Sequence, residues 1–267
     1  MKTALTIAGF DPSSGAGITA DLMVFAAHGL FGISCITALT VQSTLGVAAV
    51  HPISAEMVRV TLNHLQPDLP PAGIKIGMLA NAAIVDAVAE FLEKHPEIPV
   101  VLDPVLRSSS GRELLSPEGV RVMRTRLLPL VDWITPNLDE LGILTGQPVS
   151  NCKEIALAAR TLQQSNPKLT VLATAGHLDP PDDLLLASDG DEHWLPGEHI
   201  ATTSTHGTGC ALSSAVLSRL IGNDTPLAAA QNAKRYVAEA LRTAIPIGNG
   251  RGPVHHLWPL RKPGIPV

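Results

Sequence analysis

Ala4-Leu5-Thr6-Ile7-Ala8, followed by Gly9-Phe10-Asp11-Pro12-Ser13-Ser14-Gly15-Ala16-Gly17 and then Ile18-Thr19-Ala20-Asp21-Leu22, sets the pattern that the rest of the chain repeats. The first five residues are almost wholly apolar, as a strand buried on both faces is. The next nine are mostly small, so a ligand can approach their backbone closely. Beyond them Ile18, Leu22, Phe25 and Ala26 fall on one face of a helix. Strands are predicted again at 34–41, 74–78, 100–103, 133–135 and 170–173. Between them, Ile84, Val88 and Phe91-Leu92 share a helix face. Ser116-Pro117-Glu118 reads as a helix cap, a first-turn proline and a first-turn acid. Asn137 suits the cap of a helix that ends near Gly146. Repeated strand–helix units predict an α/β fold, a mostly parallel central sheet with helices on both faces. Residues 182–199 break the cadence with a predicted hairpin, 184–187 and 193–195. There is no linker, repeat or low-complexity tract, so residues 1–267 are expected to form one domain.

Composition narrows the functional classes. The 267 residues are 45% hydrophobic and 16% charged, which suits a large buried core. The net charge is −5 and no lysine–arginine cluster occurs, so no nucleic-acid partner is expected. Cys35, Cys152 and Cys210 are far apart, without disulfide or metal-ligand spacing, as in a reducing compartment. The N-terminal apolar stretch is too short for a signal peptide, and Asp11-Pro12 follows it with no small-residue cleavage site. No uninterrupted apolar run reaches membrane-spanning length, so a cytoplasmic location and no membrane partner are expected.

In such a sheet ligands bind at the carboxyl ends of the strands. Asp11, Gln42, Met78-Leu79, Asp103, Asn137 and the loop before Cys210 all follow strand runs and are expected to converge there. Thr205-His206-Gly207-Thr208-Gly209-Cys210 runs into an apolar helical stretch. Its glycines allow a tight turn with N–H groups aimed into one concavity, and the helix start adds its dipole: an anion site suited to phosphate. A cysteine at a helix start is expected to have a lowered pKa. The loop 9–17 lacks both the dinucleotide Gly-x-Gly-x-x-Gly spacing and a Gly-Lys-Ser/Thr phosphate loop. Gln42 can offer a donor and an acceptor side by side to a heteroaromatic ring bearing an amine, although a solvent-facing amide is the commoner fate of glutamine. Asp103 can help place magnesium or position a proton. Asn137 and Glu140 lie three apart on one helix face, and Asn137 equally suits a plain cap. Magnesium takes few protein carboxylates, so one or two acids suffice. Among the histidines, His206 reads as shaping its loop and His255-His256 as surface residues.

Read in order, several segments resemble the hydroxymethylpyrimidine/phosphomethylpyrimidine kinases of the ribokinase-like superfamily. They are Leu5-Thr6-Ile7-Ala8-Gly9, Ile18-Thr19-Ala20-Asp21-Leu22, Thr37-Ala38-Leu39-Thr40-Val41-Gln42 and Lys75-Ile76-Gly77-Met78-Leu79. Val101-Leu102-Asp103-Pro104-Val105, Ile134-Thr135-Pro136-Asn137-Leu138, Thr205 to Cys210 and Gly252-Pro253-Val254-His255-His256 complete the set. The resemblance implies a ribokinase-like fold, usually dimeric. It also implies two successive phosphorylations, with ATP and magnesium, of 4-amino-5-hydroxymethyl-2-methylpyrimidine and of its monophosphate. It places Ala16, Asp21, Gln42 and Met78 around the pyrimidine, and Asp103 near magnesium or the reacting hydroxyl. Asn137 and Glu140 fall on the magnesium–phosphate side, with Glu140 a second metal ligand. Gly207, Thr208, Gly209 and Cys210 surround the transferred phosphate, and the resemblance places the catalytic Cys210 where ribokinase itself has an aspartate base. The chain departs from the family at Thr174-Ala175-Gly176-His177, where a lysine usually stands in place of Thr174. A related pyridoxal kinase branch also lacks that lysine, so a vitamin B6 kinase is the alternative reading. A catalytically weak pyrimidine-binding paralogue is the other. Phe10, Ser14 and Asn249 are smaller departures.

Overall fold

Alternation of side chains within short strands decides where the helices pack. A computed structural model describes residues 1–108, 111–176 and 178–260. The chain runs β1 (Thr3–Phe10), α1 (Gly17–Ala27), β2 (Phe31–Ser43), β3 (Gly46–Pro52), α2 (Ala55–Asp68), β4 (Ile74–Ile76) and α3 (Ala82–Glu93). It continues with β5 (Val100–Leu102), α4 (Pro117–Val122), β6 (Trp133–Ile134), α5 (Leu138–Thr145), α6 (Cys152–Ser165) and β7 (Thr170–Ala173). The last elements are β8 (Asp183–Leu186), β9 (Glu192–Leu195), α7 (Thr208–Ile221) and α8 (Pro226–Arg242). The strands form one sheet in the order β3-β2-β1-β4-β5-β6-β7-β8-β9. From β2 to β7 every pairing is parallel; β3, β8 and β9 pair antiparallel at the two ends.

Within β5, Val100 and Leu102 join one core and Val101 the other; Leu184 and Leu186 of β8 likewise oppose Leu185. The first core carries Val58 and Leu62 of α2, Ile84 and Val88 of α3, Leu141 of α5 and Ile155 of α6. The second carries Phe25 of α1, Val216 of α7 and Val237 of α8. The helices therefore cover both faces, as the period-two pattern requires.

Two elements differ from the sequence expectation. The strand expected at 34–41 extends to Phe31–Ser43, and β3 pairs with its outer half although the sequence does not announce it. β3 is an edge strand, half-buried or exposed throughout, and its apolar run, Val47-Ala48-Ala49-Val50, is short and half alanine, too weak to announce a strand. The ribbon leaves Phe31, Leu39, Val41 and Leu45 exposed, an unusual set of apolar side chains on one sheet end. The expected hairpin is present as β8 and β9, with Leu184 opposite Trp194. No helix among the described residues is long and apolar enough to cross a membrane.

Candidate functional site

Parallel strands deliver their carboxyl ends to one edge of the sheet. Asp11 follows β1, Met78 follows β4, Asp103 follows β5, Asn137 follows β6 and Thr174 follows β7, and all five line one cleft of about 490 Å³. Across the cleft stand Gln42 of β2 and the loop 205–209 that enters α7. Of the expected site residues, Ala16, Gln42, Met78, Asp103, Asn137, Glu140, Gly207, Thr208, Gly209 and Cys210 all border this space. His177, at the end of the departure beginning at Thr174, lies outside the described residues.

The two glycine-bearing loops are fitted directly to each other. Gly207 caps α7 at φ 86°, a left-handed conformation, and a Cβ there would stand 1.8 Å from the Gly15 carbonyl oxygen. Gly17 at φ 58° is nearly as close to the Gly9 carbonyl oxygen, 2.2 Å for the same construction. No side chain caps α7, so the N–H groups of its first turn face the cleft at Thr208, Gly209 and Cys210. Gly209 lies beside Asp103, whose carboxylate oxygens would be 3.9 Å from a Cβ at that position. The arrangement is a nest of backbone donors next to a carboxylate, suited to a phosphoryl group and the oxygen that receives it.

Asp103 is only 5% exposed and accepts hydrogen bonds from Ser213 Oγ (3.2 Å) and from the Cys210 thiol. Burial pushes its carboxyl above the ordinary range, against the pull of Lys75. Burial and the neighbouring Asp103 raise Glu140 to about 8. Glu140 also completes a capping box with Asn137: Asn137 N–H donates to Glu140 Oε2 at 3.0 Å and Glu140 N–H to Asn137 Oδ1 at 2.9 Å. Asn137 is thus a cap and a cleft-lining residue at once.

Because native Glu140 holds its proton to a higher pH than the unfolded carboxyl, the native state binds more protons between about pH 4.5 and 8. This contribution to stability is complete at the acid end and is lost as pH rises towards 8. Glu140→Gln is therefore expected to flatten the fall in stability over that range. Urea midpoints of both proteins at pH 5.5 and pH 8 measure it; parallel pH profiles would contradict the assignment.

Three expectations need correction. Asp21 does not reach the cleft: it is fully buried beneath it. There it accepts from Thr6 Oγ1 (2.6 Å), Ser214 Oγ (2.7 Å) and Lys75 Nζ (3.0 Å). The Cys210 thiol is raised to about 12, not lowered. Removal from water and the carboxylates of Asp103 and Asp21 outweigh Lys75 and the N–H bond from Gly17. His256 is not on the surface but buried, its Nε2 donating to the Gly15 carbonyl at 2.9 Å. Lys75 has no place among the candidate site residues, yet it borders the cleft from below, its fully buried ammonium 3.8 Å from Asp103. A lysine inside an otherwise apolar strand was the available signal. His206 is also more than a loop residue: its Nε2 lies 2.7 Å from Asp11 Oδ2 and 3.0 Å from the Gln42 amide.

Comparison with known proteins agrees across nearly the whole chain. The family model described as phosphomethylpyrimidine kinase matches residues 11–255. The hydroxymethylpyrimidine/phosphomethylpyrimidine kinase of Escherichia coli (strain K12) is 42% identical over 262 residues, covering 95% of this chain and 96% of its own. The crystal structure of phosphomethylpyrimidine kinase from Clostridium difficile 630 superposes with a TM-score of 0.80 at 36% identity, over 90% of this chain and 100% of that one. The pyridoxal kinase of Staphylococcus aureus, in complex with ADP, gives a TM-score of 0.88 at 28% identity, over 97% and 94% of the two chains.

Proposed function

Given that the chain belongs to the phosphomethylpyrimidine kinase family and has a ribokinase-like α/β fold, we propose that it phosphorylates 4-amino-5-hydroxymethyl-2-methylpyrimidine with ATP, then phosphorylates the monophosphate, in thiamine biosynthesis. The observation that carries this reading is the opening of Gln42, the Asp103–Cys210 pair and the first turn of α7 into one cleft. Gln42 pairs with the ring nitrogen and the adjacent amine, while Ala16 and Met78 flank the ring. The hydroxymethyl group sits at Asp103 and Cys210. Its oxygen bonds to the terminal phosphorus of ATP as the bond to the ADP oxygen breaks, and its proton passes to the Asp103 carboxylate. The N–H groups of Thr208, Gly209 and Cys210 stabilise the charge on the moving phosphoryl group. Most of the rate enhancement then comes from positioning and fixed charge.

Two buried carboxylates with raised pKa values suit a hard cation, and Asp103 and Glu140 are the residues that would hold magnesium. When bound it supplies neutralisation of phosphate charge. Thr174 brings no cation to its side of the cleft, so Lys75, Arg107 and Arg251 are the cationic residues among the described lining. A single catalytic domain, a cytoplasmic setting for the three free cysteines, and a homodimer joined through the exposed apolar side chains of β2 and its ribbon complete the reading.

Gln42→Leu tests it. The change leaves the polar ring edge unpaired and is expected to cost about 1–3 kcal/mol of pyrimidine binding, with ATP binding unchanged. Calorimetric titration and steady-state kinetics on the alcohol, its monophosphate and pyridoxal measure this. Wild-type pyrimidine affinity in the variant would refute the assignment of Gln42. Preferred turnover of pyridoxal by the wild type would favour the vitamin B6 reading, and pyrimidine binding without ATP consumption a binding protein.

A further inference from the structure

We infer that His206, fixed by Asp11, is the positioning residue that locks the Gln42 amide in one orientation and thereby decides which way the substrate's hydroxymethyl group points. The inference rests on the reading that Gln42 recognises the pyrimidine edge. It starts from two hydrogen-bonding conflicts that a single rotation removes.

Asp11 is almost fully buried and behaves as an acceptor on both oxygens. Its Oδ1 receives Ser13 N–H (2.8 Å) and Ser13 Oγ–H (2.7 Å), and its Oδ2 receives Ala16 N–H (3.0 Å). Burial alone would raise this carboxyl, but the bonds from His206 and Ser13 hold it below the ordinary range, so it is a carboxylate. His206 Nε2, 2.7 Å from Oδ2, must therefore carry a proton and donate it. A protonated Nε2 has no lone pair left. With the Gln42 Nε2 amine 3.0 Å away, donor faces donor.

The second conflict lies at the other end of the same amide. Thr40 Oγ1 stands 3.0 Å from the Phe10 carbonyl and 3.2 Å from Gln42 Oε1, both acceptors, and a hydroxyl has one proton. Turning the amide by 180° exchanges two atoms of nearly equal shape. The Gln42 oxygen then takes the weaker arm of a three-centre bond from His206 Nε2–H, whose main acceptor stays Asp11, and the Gln42 amine donates to Thr40 Oγ1, whose own proton goes to Phe10. No donor then faces a donor, and the donors run in one direction from His206 through Gln42 and Thr40 to the Phe10 carbonyl.

The lock has a consequence for the ligand. In the substrate the amine lies between the ring nitrogen and the carbon bearing the hydroxymethyl group. With the Gln42 oxygen on the His206 side, the amine binds on that side and the ring nitrogen on the Thr40 side. The hydroxymethyl group, one ring position beyond the amine, is then carried towards the loop that leads from His206 into Cys210. The opposite amide orientation would carry it towards Phe10, away from the phosphate nest.

The test uses the substrate and its 4-oxo analogue, in which the ring N–H and the carbonyl reverse the donor–acceptor order. The wild type is expected to bind the amine at least ~10²-fold more tightly, as a site with fixed polar partners does. His206→Leu frees the amide and is expected to reduce that ratio by about tenfold or more, lowering kcat on the amine more than KM rises. His206→Gln, which restores a donor, should recover most of the ratio. Nitrogen NMR of the folded wild type provides a reading that needs no variant: Nε2 of His206 is expected to be protonated. An unprotonated Nε2, or an unchanged amine-to-oxo ratio in folded His206→Leu, would overturn the lock. Loss of the Gln42 reading would show separately, as Gln42→Leu with wild-type pyrimidine affinity.

Discussion

Replacing Lys75 with methionine is expected to destabilise the protein by about 3–5 kcal/mol, the cost of leaving a buried charge without its partner. Lys75 and Asp21 are both fully buried, and Lys75 Nζ lies 3.0 Å from each Asp21 carboxylate oxygen. Burial disfavours the ammonium, but the carboxylates of Asp21 and Asp103 outweigh it and keep its pKa above that of an ordinary lysine. Thr6 and Ser214 satisfy part of Asp21, yet two hydroxyls cannot replace a cation in a dry site. Lys75→Met/Asp21→Asn removes both charges and is expected to recover most of the loss. Urea unfolding of the wild type, both single variants and the double variant measures the coupling. A Lys75→Met protein within about 1 kcal/mol of wild type, or a double variant no more stable than the single, would show that the pair does not act as a unit.

The largest kinetic effect is expected from Asp103→Asn, a fall in kcat of ~10²–10⁴, the range for loss of a general base. Pyrimidine affinity should change little, because Gln42 and Met78 stand on other walls of the cleft. Cys210→Ala is expected to do less, about tenfold. With its pKa pushed to about 12, Cys210 is a neutral thiol near pH 7 that donates to Asp103, so its removal deletes a hydrogen bond and leaves the base in place. Steady-state kinetics with the free alcohol decides between them. If Cys210→Ala were the more damaging change, the thiolate would be the base and Asp103 its electrostatic partner.

These two predictions turn on features that the sequence displays unevenly. Asp103 was legible because it closes a short apolar strand, and strands of a parallel sheet end at the ligand-binding edge whatever lies between them. Asn137 and Gly146 were legible for a local reason too: capping chemistry acts over three or four residues and leaves its pattern in the chain, whereas the part of Glu140 in that cap is seen only in the fold. Asp21 misled because it follows the small-residue loop so closely. Its place along the helix says nothing about Lys75, 54 residues away, to which its carboxylate turns.

Cys210 shows how a correct local argument can lose to a distant one. A helix start does favour a thiolate, and Cys210 lies in that first turn, but burial and the Asp103 carboxylate act on the sulfur more strongly. His256 was read as a surface residue because nothing near it in sequence reveals that residues 252–256 lie against the loops at Gly15 and His206. The layers, the cadence of strands and helices, and the edge at which the polar residues gather are all written along the chain. Those follow from periodicity and from contacts between near neighbours in the chain. Tertiary structure alone decided which acids carry protons, which lysine answers which carboxylate, and which way the Gln42 amide is held. Each of those depends on distances between residues far apart in sequence, in a medium too dry to screen them.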